Sequence, residues 1–443
     1  MRVRFLHYGV IVLLLVSGVL ITGCTSGPET GQPLVPSSDS QPVFQETTTG
    51  TYAPVPENVR NVVDANNRFA FDLYLKSSQD SENQQSNIFF SPFSLSSVFA
   101  ITYEGANGTT AEEIRSVFHF PSRKSALREG YSGLDSVINR GDAACTLHSA
   151  NALWAEKTYS FLPAFTSTTE DYYRAKIQNL NFIGQPDESR QTINRWVEDQ
   201  TEDKIKNMLE PGFIDGETRL IITNAIYFNG KWENPFATVD TRNNTFYYGE
   251  FANESESVVV PMMHRKDVYR YIENNDIQMV ELPYKSDSGS GLSMIVILPK
   301  KYGLTHLTDV ENSLNPLTIN ALQQNLADTK LILYLPKFKL ETQYQLPQTL
   351  KEMGMKTAFG GTADFSGMDG SKSLFISDVI HKAFIDVNEE GTEAAASSAV
   401  KISQGGPPPE PFFCADHPFI FIIQDRDTGA ILFMGRVMDP TAG

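Results

Sequence analysis

A chain of 443 residues, 41% hydrophobic and 20% charged, carries enough apolar material for a large buried core. Its formal net charge of -17 excludes nucleic acid as the main partner, because phosphate recognition needs a basic stripe. The least acidic stretch, Arg123, Lys124 and Arg128, is too sparse for a polyanion site and reads as a solvated helix end.

Residues 1–23 open with Arg2 and Arg4, run apolar from Val10 to Ile21 and close on Thr22 and Gly23, the layout of a secretory signal. Cys24 then falls where a bacterial-type lipobox, here Ile21-Thr22-Gly23-Cys24, places its lipidated cysteine. A plain signal peptide and an uncleaved anchor are the other readings, and the anchor gives the same outward-facing topology. Residues 24–56 are rich in Pro, Ser, Thr, Gly and Gln and cannot bury enough surface to fold, so they read as a disordered tether. Cys145 and Cys414 are the remaining cysteines, and nothing requires them to pair.

From Val59 the pattern turns helical, with Val63, Asn66, Asn67, Phe69, Ala70, Leu73 and Tyr74 on one face. Ser91-Pro92 is a helix entry, a hydroxyl cap followed by proline. Thr110 and Glu113 have capping-box spacing at the start of 110–120, and 187–205 reads as a surface helix. Strands then dominate: 219–232, a β-branched run buried on both faces, then 292–299, 330–341, 373–389, 419–425 and 430–437. Helices first and long strands later, without a βα rhythm, give an α+β class with N-terminal helices packed on mostly antiparallel β-sheets. No linker interrupts 57–443, which reads as one domain.

Little in the chain suggests catalysis. His-Glu-x-x-His and Cys-x-x-Cys are absent, so neither a metal nor another cofactor is expected. The stretch 286–291 lacks the context of a hydrolase nucleophile and reads as a surface loop. His264, His381 and His417 lie in strand-like sequence and read as structural, so the chain is not expected to be an enzyme.

The distinctive stretch begins at Glu389. From Thr392, strand periodicity puts Thr392, Ala394, Ala396, Ser398, Val400 and Ile402 on one face, small and then apolar; the opposite face is largely polar or charged. A dozen such residues span roughly 40 Å as a strand. Gly-Gly and three prolines follow, so 389–411 is compatible both with an exposed loop and with a strand added to a sheet.

Eight stretches occur in the order found in serpins: 87–97, 223–236, 260–265, 335–341, 363–368, 379–396, 415–421 and 433–437. Along nearly all of 57–443 the chain therefore resembles the serpin family, as a prokaryotic, secreted or lipoprotein-type member. The resemblance implies a serpin fold whose exposed reactive-centre loop, about 389–411, is able to insert into the main sheet. Ser91, Ser94, Asn224 and His381 fall on the family's shutter positions and Trp232 on its breach tryptophan. The hinge Glu389, Glu390, Gly391, Thr392, Glu393, Ala394, Ala395, Ala396, Ser397 and Ser398 follows the inhibitory pattern, with Gly391 as backbone pivot.

Family spacing, counted from Glu389 and from Phe413, puts the bait bond at Gly405–Gly406, with Gln404–Gly405 as the alternative. Glycine there excludes trypsin-like targets, and Ile402, Gln404 and their small neighbours point to subtilisin-like or elastase-like serine proteases, with a cysteine protease as the other reading of a Gly-Gly site. The implied function is suicide inhibition of extracellular serine proteases by a monomer. Its membrane contact would be the N-terminal lipid anchor alone, on the extracellular face of the cell membrane, or the protein would be free in the extracellular space. A non-inhibitory serpin acting as a cell-surface binding protein is the alternative.

Overall fold

A computed structural model describes residues 55–442, apart from 82, 139–143, 251, 253, 287–290 and 393–410. Cys24, the signal segment, the tether up to residue 54, Glu393 to Ser398 and Gln404, Gly405 and Gly406 lie outside the described residues. Helices α1 (Glu57–Ser78), α2 (Pro92–Gly105), α3 (Gly108–Val117), α4 (Lys124–Ile138), α5 (Pro163–Tyr173) and α6 (Pro186–Gln200) occupy the first half, with α7 (Leu304–Ser313), α8 (Pro316–Gln324), α9 (Pro347–Met353) and α10 (Ser366–Asp369) later. The strands are β1 (Ile88–Phe90), β2 (Cys145–Glu156), β3 (Lys176–Leu180), β4 (Leu220–Lys231), β5 (Arg242–Tyr247), β6 (Ser257–Glu273), β7 (Ile277–Pro283) and β8 (Leu292–Pro299). They continue with β9 (Ala327–Pro336), β10 (Phe338–Gln345), β11 (Ile376–Asn388), β12 (Gly391–Thr392), β13 (Phe412–Cys414), β14 (Phe419–Asp425) and β15 (Ile431–Val437).

Two sheets result, and most pairings are antiparallel. One has the order β1-β15-β14-β8-β7-β6-β9-β13, with β5 beside β6; the other has β10-β11-β12-β4-β2-β3. β4 is buried along most of its length because it is covered twice. Leu220, Ile222, Ile226 and Phe228 join the main core shared with the other sheet and α1–α4, while Ile221, Ala225 and Tyr227 pack beneath α6 with Ile193 and Val197.

Helix α1 buries the face expected of it, and its two asparagines have a task. Asn66 Nδ2 donates to the Ile431 carbonyl at 2.9 Å, Asn67 Nδ2 donates to the Gly429 carbonyl at 2.8 Å and the Ile431 N–H donates to Asn67 Oδ1 at 2.9 Å, clamping the β14–β15 hairpin. Ser91 caps α2 as expected, accepting the Ser94 N–H.

Several expectations change. The run 330–341 is not one strand: after Pro336 the chain crosses from one sheet to the other at Lys337, whose N–H donates to the Pro261 carbonyl at 2.9 Å. Thr110 and Glu113 form no capping box. α3 starts at Gly108, Thr110 Oγ1 accepts the Asp364 N–H, and Glu113 accepts the N–H and hydroxyl of Thr357. The expected helix over 187–205 ends at Gln200, and Glu202, Asp203 and Asn207 take positive φ. Lys124 and Arg128 are anchors rather than a solvated helix end. Lys124 Nζ donates to the carbonyls of Glu104 and Ala106, and Arg128 makes a two-pronged pair with the buried Glu104 carboxylate.

A second buried pair holds the base of β15. Arg436 pairs with Glu311 at 2.8 Å, both almost fully buried, and the Tyr74 hydroxyl donates to the same carboxylate oxygen at 2.8 Å. Removing one partner strands a buried charge. Glu311→Ala is therefore expected to destabilise the chain by about 3–5 kcal/mol, read from urea unfolding.

Candidate functional site: a seam in the six-stranded sheet

The two central strands of the six-stranded sheet, β11 and β4, run parallel to each other and pair directly from Ile376↔Leu220 to Phe384↔Tyr227. Beyond Phe384 they part, and β12 fills the gap. Thr392 lies opposite Val387 on one side and Gly230 on the other; Gly391 lies between Asn388 and Lys231. β12 is antiparallel to both neighbours. The first two residues after Glu390 thus already form a strand in the sheet, at the open end of a seam closed below.

A polar cluster crosses the closed part. The Ser91 N–H donates to His381 Nε2 at 3.1 Å, so the imidazole carries its proton on Nδ1, which donates to Asn224 Oδ1. Asn224 Nδ2 donates to Ser94 Oγ and to Asn151 Oδ1. Ser94 Oγ also donates to Asn151 Oδ1 at 3.0 Å and lies 3.2 Å from Ser149 Oγ, and the Ser91 hydroxyl donates to the Leu432 carbonyl at 2.7 Å. Ser91, Ser94, Asn224 and His381 are thus brought together, as a network spanning α2, β2, β4, β11 and β15. Ser149 and Asn151 were not foreseen. Their signal was alternation along β2, but no local pattern marks which strand lies beside Asn224.

His381 is buried completely, and desolvation pushes its pKa down to about 3. The site therefore holds a neutral imidazole that accepts on one side and donates on the other.

The open end is built around Trp232. Its indole stacks on Tyr284 with centroids 4.5 Å apart, and its Nε1 donates to the Asn388 carbonyl at 3.0 Å. The Tyr284 and Thr392 hydroxyls share a hydrogen bond of 2.9 Å, and both side chains are buried. The Trp232 N–H donates to the Glu390 carbonyl and the Phe236 N–H to the Glu389 carbonyl, at 2.8 and 2.7 Å. Glu389 is held by Lys337 at 2.8 Å and by the Thr241 hydroxyl at 2.8 Å. Burial pushes the Glu389 pKa up, but Lys337, the residue's own backbone N–H and the Thr241 hydroxyl together outweigh it and hold the carboxyl below its usual range. Gly391 has φ +156°, and a Cβ there would sit 2.1 Å from the Gly230 carbonyl oxygen and 2.6 Å from Lys231 Cα, so only glycine fits the seat.

His264, His381 and His417 lie in separate surroundings. His264 packs at a tilt against the Tyr334 ring, His417 faces Asp416 and the Pro299 carbonyl, and His381 belongs to the network above. Among the described residues no cluster of His, Cys, Asp and Glu could hold a metal ion, and Cys145 and Cys414 are not disulfide-bonded.

Comparison with known proteins agrees with this architecture. The family model described as Serpin (serine protease inhibitor) matches residues 64–440. The chain belongs to the serpin family. A serpin-like protein of Thermococcus kodakarensis is 40% identical, covering 98% of this chain and 99% of its own. The leukocyte elastase inhibitor of Bos taurus is also 40% identical, over 85% of this chain and 98% of that one. Among solved structures, Serpin48 of the insect Tenebrio molitor matches with a TM-score of 0.75 and 33% identity, over 86% of this chain and 98% of that one. The fold is the serpin α+β fold.

The buried imidazole sets a pH dependence with a definite sign. The unfolded side chain takes up its proton near pH 6.5, the folded one only near pH 3. As pH falls below 6.5 the unfolded state binds protons first, so this part of the stability is complete above about pH 6.5 and is lost progressively towards pH 3. Urea midpoints measured from pH 7.5 to 5 are expected to fall, and to fall less in His381→Asn.

Proposed function

We propose that this serpin is a suicide inhibitor of extracellular serine proteases. A protease attacks the loop 393–410 and becomes acylated, and the cut loop then enters the seam between β11 and β4 before the acyl bond is hydrolysed. Insertion of the reactive loop as an added strand is the known mechanism of the family. The observation that carries the proposal here is the seating of Gly391 and Thr392 at the mouth of that seam. Continuing β12 downward would separate two parallel strands and pair each with an antiparallel one. About a dozen new backbone hydrogen bonds, at about 0.5–1.5 kcal/mol each, supply on the order of 10 kcal/mol to drive the step.

Within this reading the cluster around His381 and Asn224 is the shutter that opens as the strand advances, and Trp232 and Tyr284 line the breach where it enters. The small side chains Ala394, Ala395, Ala396, Ser397 and Ser398 lower the steric cost of passing between the strands. Gly405–Gly406, or Gln404–Gly405, is the bond offered. Its small residues and the similarity to a leukocyte elastase inhibitor favour elastase-like or subtilisin-like targets. The lipobox-like sequence favours a mature chain starting at a lipid-bearing Cys24 on the outer face of the membrane. Mass spectrometry of the mature N-terminus tests this, and an unmodified start at any other residue ends it.

The decisive test is incubation with elastase and subtilisin, followed by denaturing gels. The wild-type chain is expected to give a complex that survives denaturation, at the summed mass of both proteins. Thr392→Arg puts a charge where the native side chain is fully buried against Tyr284. That variant is expected to be cut as a substrate, with complex formation reduced by at least about tenfold, a barrier change of about 1.4 kcal/mol. A variant that traps as efficiently as wild type contradicts the proposal.

A further inference from the structure

Asn-Gly occurs twice in the chain, at Asn107–Gly108 and at Asn229–Gly230. The pair has a chemistry of its own. The glycine nitrogen attacks the asparagine side-chain carbonyl, and no Cβ on the glycine hinders the approach. A five-membered succinimide ring closes and ammonia leaves, made of the side-chain amide group and the proton of the glycine N–H. Water then opens the ring at either carbonyl, which gives aspartate or isoaspartate. Water is the only co-reactant. The reaction requires a free glycine N–H and freedom to turn about the Cα–C bond of the asparagine.

The fold treats the two pairs differently. Asn229 and Gly230 lie inside β4, with Asn229 opposite Thr146 and Gly230 opposite Cys145 on one side and Thr392 on the other. Gly230 is buried, and its carbonyl oxygen is packed against Gly391. Turning Asn229 would break the sheet at the mouth of the seam. Asn107 and Gly108 are both exposed, in the corner between α2 and α3. Gly108 is the first residue of α3, so its N–H has no carbonyl one turn back to bond. Nothing lies within 4 Å of the place a Cβ on Gly108 would take. Turning Asn107 opens one bond, from the Ala111 N–H to the Asn107 carbonyl at 3.2 Å, in a first turn of the kind that frays.

The Asn107 side chain does not cap α3. Its Nδ2 donates to Ser366 Oγ at 3.0 Å, and the Ser366 hydroxyl donates to Asp364 Oδ1 at 2.6 Å. The Asn107 N–H donates to the Asp364 carbonyl at 2.9 Å. The amide is therefore the end donor of a relay that ties the α2–α3 corner to residues 364–366. Deamidation turns that donor into a carboxylate. Ser366 has one hydroxyl proton, and Asp364 already takes it, so two carboxylates would compete for one donor. Isoaspartate also adds an atom to the backbone between the two helices.

We propose that Asn107 is a site of spontaneous deamidation that releases the α2–α3 corner from residues 364–366, and that the sheet protects Asn229 from the same reaction. The hydrogen bond to Ser366 restrains the reacting amide, so Ser366 sets the rate. None of this depends on the inhibitor reading.

The test incubates the full chain at neutral pH, folded and in urea, and locates the amide-to-acid mass change by digestion and tandem mass spectrometry. In the folded chain Asn107 is expected to react at least about tenfold faster than Asn229, a barrier difference of about 1.4 kcal/mol. In urea the two should react at similar rates. Ser366→Ala, at a partly exposed position, is expected to speed the folded reaction roughly two- to tenfold, the worth of one hydrogen bond. Gly108→Ala is expected to slow it. Aged wild type should unfold at lower urea than fresh wild type, while Asn107→Ser, which keeps a residue suited to a helix start, should not change with age. An Asn107 that stays intact in the folded chain but reacts in urea overturns the site. Equal rates at Asn107 and Asn229 in the folded chain overturn the protection by the sheet. Equal unfolding midpoints for aged and fresh wild type overturn the release of the corner.

Discussion

The molecule depends on one junction, the pairing of β11 with β4. These strands come from distant parts of the chain, run parallel, and sit in the middle of the six-stranded sheet. Parallel pairing is slightly weaker per residue than antiparallel pairing. The junction is reinforced by side chains instead, with His381 bonded to Asn224 across it and Ser91 and Ser94 bracing both from the start of α2. Ser91, Ser94, Asn224 and His381 are fully buried, and removing one member of such a network leaves its partners unsatisfied.

The open end holds the two-residue strand β12 between β11 and β4. Gly391 fits against the Gly230 carbonyl only because it lacks a Cβ, and Thr392 satisfies its hydroxyl on Tyr284. Glu389, tied to Lys337 and Thr241, fixes the point from which the segment departs. Lys337 lies where the chain crosses between the two sheets, so the same residue that marks the crossing also holds Glu389. Beyond the positions opposite Thr392, β11 and β4 pair with each other, from Phe384 and Tyr227 to Ile376 and Leu220.

Much of this was legible before the structure. The double-sided burial of β4 shows in its unbroken β-branched run, and the cap at Ser91-Pro92 is a local signal that needs no tertiary context. Gly391 stood out as a pivot. What could not be read is what depends on contacts across the chain. Thr110 and Glu113 have capping-box spacing, yet they bond to Asp364 and Thr357 some 250 positions away. The run 330–341 looks like one strand because Pro336 can end a strand as easily as sit at its edge, and only the two sheets show that it does the former. Arg128 looks solvated until Glu104 is placed beneath it. Ser149 and Asn151 carry no mark of their own, and only the register of β2 against β4 brings them to the network.

The most direct measurement is the thermal unfolding midpoint of the chain before and after a single cut within 393–410. If the seam between β11 and β4 receives the freed loop, the cut chain gains a full antiparallel strand and its midpoint rises by tens of degrees. A midpoint that stays the same or falls on cutting means that the seam does not open, and that the seated Gly391 and Thr392 are as far as the loop goes.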